Sequence, residues 1–173
     1  MHLSIPSAFS ICLGLFATTA FAETVVTLAG PLRFVTTDST KLPIKPTGNI
    51  TVYYADFNAS PTGNLGLSVQ KSAPAFEFTL WIGTLFSYWH PDGTPGNLPY
   101  SMLPPVPNTS PQLRESPLYG GPYGLLDGKF LGVDETQEGI WWLCTDNKDK
   151  VPVLIYKASA TRGCKSTYVA LLA

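Results

Sequence analysis

Histidine, the residue that most often carries acid–base catalysis or binds metals, is scarce in this chain. The two histidines are His2 and His90, and His90 lies in the segment Tyr88-Trp-His-Pro-Asp-Gly93. One histidine is enough for a Ser-His-Asp site, but the chain has no Gly-x-Ser-x-Gly turn to present a nucleophilic serine. A zinc site usually takes several His or Cys ligands. We therefore expect no metal site, no cofactor and no catalytic residues, and interpret His90 and Asp92 as a surface pair in a turn.

Carboxylate pairs are a second kind of chemistry, because glycoside hydrolases use two carboxyl groups on either side of the scissile bond. The acidic candidates are Glu77, Asp127, Asp134, Glu135 and Glu138. Glu77 alternates with apolar residues and is expected to point away from the core. The other acids fall in or near turn-like segments, where carboxylates are usually only solvated. A glycoside hydrolase is therefore kept as the weaker alternative.

Aromatic residues supply a third kind of candidate, since a ring exposed on a sheet can stack on a sugar ring. The four tryptophans are Trp81, Trp89, Trp141 and Trp142. Trp141 and Trp142 are adjacent, so on a strand their rings point to opposite faces. One is expected in the core and the other exposed or covered by a loop. These residues support a carbohydrate-binding module that uses exposed Trp and Tyr.

Residues 1–22 have the pattern of a secretory signal peptide. They contain no Lys, Arg, Asp or Glu, and an apolar run over residues 11–17 leads to Ala20-Phe-Ala22, a small-x-small cleavage site before Glu23. The apolar run is too short to span a bilayer, and no later apolar segment reaches about 18 residues. The sequence therefore predicts an extracellular protein with no membrane association after cleavage.

Two cysteines remain after cleavage, because Cys12 leaves with the signal peptide. In an oxidising compartment Cys144 and Cys164 are expected to form one disulfide, the alternative being two unpaired thiols. Three N-glycosylation acceptors are present, at Asn49, Asn58 and Asn108. Pro61 and Pro111 follow the last two acceptors, so Asn49 is the best candidate if the source is a eukaryote.

Short alternating segments predict an all-β fold for residues 23–173, which we take as one domain. Leu65–Val69 and Phe76–Ile82 each place apolar side chains on one face, and Gly30-Pro31 is expected to form a turn between two strands. No stretch keeps a helical period, which favours an antiparallel sandwich or distorted barrel. The net charge is −1 and no basic run is present, which argues against nucleic acid as a partner.

A proline-rich segment interrupts the strands. Nine prolines fall between Pro91 and Pro122. Because proline lacks the amide donor of a sheet ladder, residues 91–122 are interpreted as a long crossover loop. Its apolar residues indicate that part of it covers the sheet, and a binding loop is the sharper alternative to an ordinary connection.

The C-terminal segment has a recognisable pattern: Gly139-Ile-Trp-Trp-Leu-Cys144, a polar turn, Pro152-Val-Leu-Ile-Tyr156, then Gly163-Cys164 and an apolar strand. Over about residues 139–172 it resembles the ending of small secreted fungal proteins, including the phialide-type cell-wall proteins. The resemblance implies a β-rich fungal protein that is extracellular or wall-associated and has no known catalysis, and it carries over no catalytic residues.

The leading hypothesis is therefore a secreted, non-enzymatic fungal protein of the cell surface or wall, or an effector-like protein. Its expected partner is a cell-wall polysaccharide or an extracellular protein. The carbohydrate-binding module is the first alternative to this hypothesis.

Overall fold

The computed structural model describes residues 24–54, 65–89, 94–115, 120–145, 152–159 and 163–172. The predicted signal peptide, Asn58, His90 and Asp92 lie outside the described residues, as does the side chain of Trp89. The described chain is all-β, which confirms the predicted fold class. It contains no helix long and apolar enough to cross a membrane.

Thirteen strands make up the described part of the chain. They are β1 (Thr24–Val25), β2 (Leu28–Thr37), β3 (Pro46–Tyr54), β4 (Leu65–Gln70), β5 (Glu77–Trp81), β6 (Thr84–Trp89), β7 (Pro95–Met102), β8 (Leu113–Glu115), β9 (Tyr123–Leu126), β10 (Phe130–Val133), β11 (Trp141–Cys144), β12 (Val153–Tyr156) and β13 (Cys164–Leu171).

The strands form a closed antiparallel barrel of nine strands with additional strands attached. The pairing runs from β2 through β5, β6, β7, β8, β4, β12 and β11 to β13, which pairs back with β2. β3 lies between β2 and β4, and β10, β9 and β1 extend the sheet from β13. Closure leaves few unpaired strand edges among these nine strands, which is how barrels avoid edge-to-edge aggregation.

The interior of the barrel is filled by the apolar members of the alternating strands. Phe78 and Leu80 of β5 are buried, as are Leu65 and Leu67 of β4. Tyr123 is also buried, and its hydroxyl donates to the carbonyl oxygen of Leu103 at 2.6 Å. Burial raises the pKa of the Tyr123 phenol, so that it remains a neutral donor.

The disulfide predicted from the sequence is present. Cys144 of β11 and Cys164 of β13 are directly opposite in the register of the two strands. Their sulfur atoms are 2.02 Å apart. The bond therefore joins two strands that are already neighbours through backbone hydrogen bonds.

The turn predicted at Gly30-Pro31 is wrong, because β2 continues through both residues. The register between β2 and β5 shifts between Leu28 and Leu32, which is the irregularity of a bulge. A Cβ on Gly30 would lie 2.5 Å from the carbonyl oxygen of Phe78, so only glycine fits this approach. A bulge tolerates the missing amide hydrogen of Pro31. Gly30 and Pro31, which indicated a turn in the sequence, therefore lie within the strand.

The interpretation of residues 91–122 as one loop is also wrong in two places, because the segment contains β7 and β8. Pro95 and Pro99 lie in β7, and the register with β6 shifts between Ser87 and Trp89. The irregular pairing accommodates residues that lack an amide donor. Between the two strands, the amide of Asn108 donates to the carbonyl oxygen of Tyr156 at 2.8 Å, so this connection lies against β12.

Replacing both Cys144 and Cys164 by serine is expected to lower the free energy of unfolding by about 3 kcal/mol, because the bond closes a loop of about 20 residues in the unfolded chain. Urea unfolding of the variant and the parent protein measures the difference. Peptide mass spectrometry of the unreduced parent is the control, and it should recover one cross-linked Cys144–Cys164 peptide. Two alkylatable thiols in the unreduced protein would contradict the disulfide.

Candidate ligand-binding face

The outer surface of the sheet formed by β2, β5 and β6 carries a group of aromatic and polar side chains. Residues directly opposite in an antiparallel pair share a face of the sheet. Arg33 is opposite Glu77, Thr79 is opposite Phe86, and Trp81 is opposite Thr84. The intervening residues Phe78, Leu80 and Leu85 are buried in the core. We call the outward-pointing set the aromatic face: Arg33, Glu77, Thr79, Trp81, Phe86 and Tyr88.

Two large rings of the aromatic face are open to solvent. Trp81 retains 45% and Tyr88 retains 52% of its full exposure. Phe86 is buried beside them, and its ring meets the Tyr88 ring edge-on at a centroid distance of 5.6 Å. The edge contact holds the orientation of the Tyr88 ring while leaving one of its faces available.

An ion pair borders the Tyr88 ring. The Arg33 guanidinium donates to Oε1 of Glu77 through Nε, at 3.1 Å, and also through its terminal nitrogen Nη2. The register of β5 and β6, continued from Thr79 and Phe86, brings Glu77 opposite Tyr88. Glu77 and Tyr88, together with Pro31 and Thr79, line a shallow cleft of about 200 Å³. The cleft thus has a charged hydrogen-bonding side next to an aromatic side.

The β5–β6 hairpin holds Trp81 in place. Its two turn residues, Ile82 and Gly83, both have positive φ, of 45° and 71°. The amide of Gly83 donates to the carbonyl oxygen of Val26 at 2.9 Å, and the amide of Gly121 donates to the carbonyl oxygen of Ile82 at 3.0 Å. A Cβ on Gly83 would lie 2.0 Å from the carbonyl oxygen of Gly121. Neighbouring segments therefore hold the hairpin turn on both sides.

Ile82 is an unusual residue for this position. A β-branched side chain at positive φ is a backbone outlier, and two-residue turns of this type favour Asn-Gly. The Ile82 side chain is more than half exposed, so its burial does little to offset the cost of the positive φ. Val26, whose carbonyl oxygen accepts from Gly83, is a second exposed apolar residue beside this turn.

The other predicted tryptophan sites differ from Trp81. Trp141 is fully buried, and its indole nitrogen donates to the carbonyl oxygen of Leu131 at 2.8 Å. Trp142 is half-buried, and its indole nitrogen donates to the carbonyl oxygen of Gly139 at 3.0 Å. This difference in burial agrees with the prediction that the adjacent rings of Trp141 and Trp142 point to opposite faces. The aromatic face does not include either ring.

The acidic candidates are spread over separate places. Glu77 lies on the aromatic face, whereas Asp127, Asp134 and Glu135 have positive φ in tight turns and are exposed. Glu138 is exposed next to Gly139. No group of three or more His, Cys, Asp or Glu among the described residues could hold a metal ion.

Two of the predicted glycosylation acceptors lie in the described chain. Asn49 of β3 is half-buried, and its side-chain nitrogen, the atom that would carry a glycan, donates to the carbonyl oxygen of Ala73 at 2.8 Å. Asn108 is exposed, and its side-chain oxygen accepts from the amide of Ser159 at 2.8 Å. The folded structure therefore leaves Asn108 more accessible than Asn49.

Comparisons with known proteins identify no relative, because no family model, curated protein or solved structure matches the chain.

Sequence reasoning singled out Trp81 and Glu77 but missed Arg33 and Tyr88 as members of the face. The signal for Glu77 and Trp81 was their alternation with Phe78 and Leu80 along one strand. Arg33 lies more than forty residues away in the chain, and only the β2–β5 pairing brings it to Glu77.

The same substitution should change stability by very different amounts at the two kinds of tryptophan. Trp141→Phe is expected to lower the free energy of unfolding by about 2 kcal/mol, because it removes buried volume and leaves the Leu131 carbonyl without its donor. Trp81→Phe should change it by less than about 0.5 kcal/mol, since the ring is exposed. Urea unfolding measures both variants, and equal losses would contradict the assigned burial.

Ile82→Asn is expected to raise the free energy of unfolding by about 1 kcal/mol, because it replaces a β-branched residue at positive φ by one that favours this turn. Urea unfolding of the variant and the parent gives the difference. Val106→Ala, a change at another exposed apolar residue, is the control and should be neutral. A loss of stability in Ile82→Asn would show that the turn is not strained.

Proposed function

We propose that this protein is a secreted, non-enzymatic binding protein that holds a cell-wall polysaccharide on the aromatic face. The observation that carries the proposal is the exposure of Trp81 and Tyr88 on one outer face of the sheet, beside the Arg33–Glu77 ion pair. An exposed group of large apolar side chains with polar neighbours marks an interaction surface.

The chemistry of the face suits a sugar. The apolar C–H surface of a sugar ring can stack on Trp81 or Tyr88, because aromatic faces are electron-rich. The hydroxyl groups of the sugar ring both donate and accept hydrogen bonds, so a binding site must offer acceptors as well as donors. Arg33 offers donors, Glu77 offers acceptors, and hydrogen bonds to charged groups are stronger than neutral ones.

The spacing of the two rings favours a chain of sugars over a single sugar. Tyr88 lies four residues along β6 from Thr84, which is opposite Trp81. At the rise of a strand this separation is about 13 Å. Thr79 lies between the two rings on the same face. A ligand that contacts both rings must therefore be an extended oligosaccharide or polysaccharide.

Binding is favoured over hydrolysis because the face provides only part of a hydrolytic site. Glycoside hydrolysis uses two carboxyl groups about 5–10 Å apart. The described residues of β2, β5 and β6 include one acid, Glu77, and it is already paired with Arg33. The glycosidase alternative would need a second carboxyl group from elsewhere in the chain.

The proposed location and source come from the sequence. The signal-peptide pattern of residues 1–22 supports secretion, and a disulfide between Cys144 and Cys164 is compatible with an extracellular protein. The resemblance of residues 139–172 to small secreted fungal proteins supports a fungal wall as the site of action. N-glycosylation is proposed at Asn108 first, because of its exposure, and at Asn49 second.

Trp81→Ala and Tyr88→Ala should each remove most binding of the purified protein to insoluble wall polysaccharide. Chitin, β-glucan and mannan are incubated with the protein, and the fraction that sediments with each polymer is measured. Each substitution removes one stacking contact, which is expected to weaken binding by about tenfold or more. Val106→Ala is the control and should bind as the parent does.

Three results of this experiment would contradict the proposal. Retention lost in Trp142→Phe but kept in Trp81→Ala would move the site to the half-buried indole of Trp142. Soluble sugars released into the supernatant, and lost in Glu77→Gln, would make the protein an enzyme. No retention on any polymer would leave an extracellular protein as the remaining partner.

A further inference from the structure

The charges of this nearly neutral chain are unevenly distributed over its surface. Four lysines lie around one end of the barrel: Lys41, Lys45, Lys71 and Lys165. We call this end the lysine mouth. Among the described residues, Asp38 is the one acid that lines it. The remaining described residues carry four basic and six acidic side chains, so the lysine mouth is positive and the rest of the described surface is negative.

The topology explains why these lysines meet. β2 ends at Thr37 and β3 begins at Pro46, so the connection that carries Lys41 and Lys45 lies at this end. Lys71 follows the end of β4, and Lys165 is the second residue of β13. Because neighbouring strands are antiparallel, the ends of β2 and β4 and the beginning of β13 lie together.

The lysine mouth is concave. One cavity of about 660 Å³ is lined by Lys71, Lys165 and Leu143, and an adjoining cavity of about 430 Å³ is lined by Lys41 and Lys45. Asp38 and Thr47 line both cavities, so the two form one continuous depression. An extended ligand can therefore contact lysines at both ends of it.

Most of the positive charge in the lysine mouth is available to a ligand. Lys165 pairs with Asp38, with 2.7 Å between Nζ and Oδ2. Lys41, Lys45 and Lys71 are exposed and form no ion pair with a described residue. Three lysines without an ion-pair partner among the described residues, held near one another, favour an anionic ligand.

The hydroxyl groups of the lysine mouth are already used within the protein. Thr47 donates to the carbonyl oxygen of Thr36 at 3.0 Å, and Thr167 donates to that of Thr37 at 3.1 Å. The ammonium groups are therefore the main donors left for a ligand. Among the described residues no aromatic side chain lines either cavity, so these residues offer the bases of a nucleic acid no ring on which to stack.

We propose that the lysine mouth is a second binding site, for an acidic polysaccharide whose carboxylate or sulfate groups contact the lysines. The site is separate from the aromatic face, because Arg33 precedes the end of β2 at Thr37 and the mouth lies beyond that end. The proposal does not depend on the aromatic face.

Binding to polygalacturonate and to dextran sulfate, with neutral dextran as the control polymer, tests the site and distinguishes carboxylate from sulfate. Affinity is measured by titration at about 0.01 M ionic strength, where charges act over about 30 Å, and again at about 0.15 M. The parent should bind at least one acidic polymer, more weakly at higher salt, and Trp81→Ala, which lacks a stacking ring of the aromatic face, should do the same without binding dextran.

The variant Lys41→Gln with Lys71→Gln should bind the acidic polymer about tenfold more weakly, because two ammonium contacts are lost. Lys129→Gln with Lys157→Gln removes the same charge elsewhere and should bind as the parent does. Trp81→Ala should also leave this binding unchanged, which separates the lysine mouth from the aromatic face. Circular dichroism confirms that each variant is folded.

Several outcomes would overturn the proposal. Equal weakening by both double variants would show that net charge alone matters, and binding of dextran by Trp81→Ala as tightly as the acidic polymer would show that charge is not recognised. Binding to vesicles containing phosphatidylserine but to neither acidic polymer would assign the lysine mouth to a membrane surface. Absence of binding to any of these probes would remove the site.

Discussion

The backbone pairing between β13 and β2 is the contact on which the barrel depends. It joins Tyr168, Val169, Ala170 and Leu171 to residues 34–37, and the Thr167 hydroxyl adds a bond to the Thr37 carbonyl oxygen across 130 residues of sequence. Without this pairing β2 and β13 would both present open edges, and the core between them would be exposed to water. Burial of that core is the main source of stability, and it is available only to the closed sheet.

β2 also links the two proposed sites. Its residues from Leu28 to Arg33 run beside β5, and Arg33 lies on the aromatic face, whereas Thr37 at its end borders the lysine mouth. The bulge near Gly30 lies between two parts of β2. Leu32 and Arg33, after the bulge, pair with consecutive residues of β5, whereas Leu28, before it, pairs in a shifted register. One strand thus contributes to a surface suited to neutral sugars at one end and to a surface suited to anions at the other.

The sequence pattern was sufficient to predict a strand where that strand is regular and has one buried and one exposed face. The alternation of Phe78 and Leu80 with Glu77 and Trp81 predicted both the strand and its two faces, and the two cysteines predicted the disulfide. Proline and glycine were misleading at Gly30-Pro31 and in β7, because a bulge or an irregular register satisfies the backbone in ways that composition does not reveal.

The composition of the sites was less predictable than the fold. Which of two adjacent tryptophans is buried depends on the face that meets the core, and this is fixed by strands distant in sequence. The lysine mouth gave no signal at all, since Lys41 and Lys165 are separated by most of the chain and no basic run marks them.

The late position of β13 in the chain has a consequence for the order of folding. The polypeptide is synthesised from its N-terminus, so β2 emerges long before the strand with which it must pair. The β3–β4 and β5–β6 pairs are local and can form early, but the barrel cannot close until β13 is available. Contacts between such distant segments are slow to form. The nascent chain therefore has to keep an unfinished sheet from associating with other chains, and that interval is the one in which chaperones act on such chains.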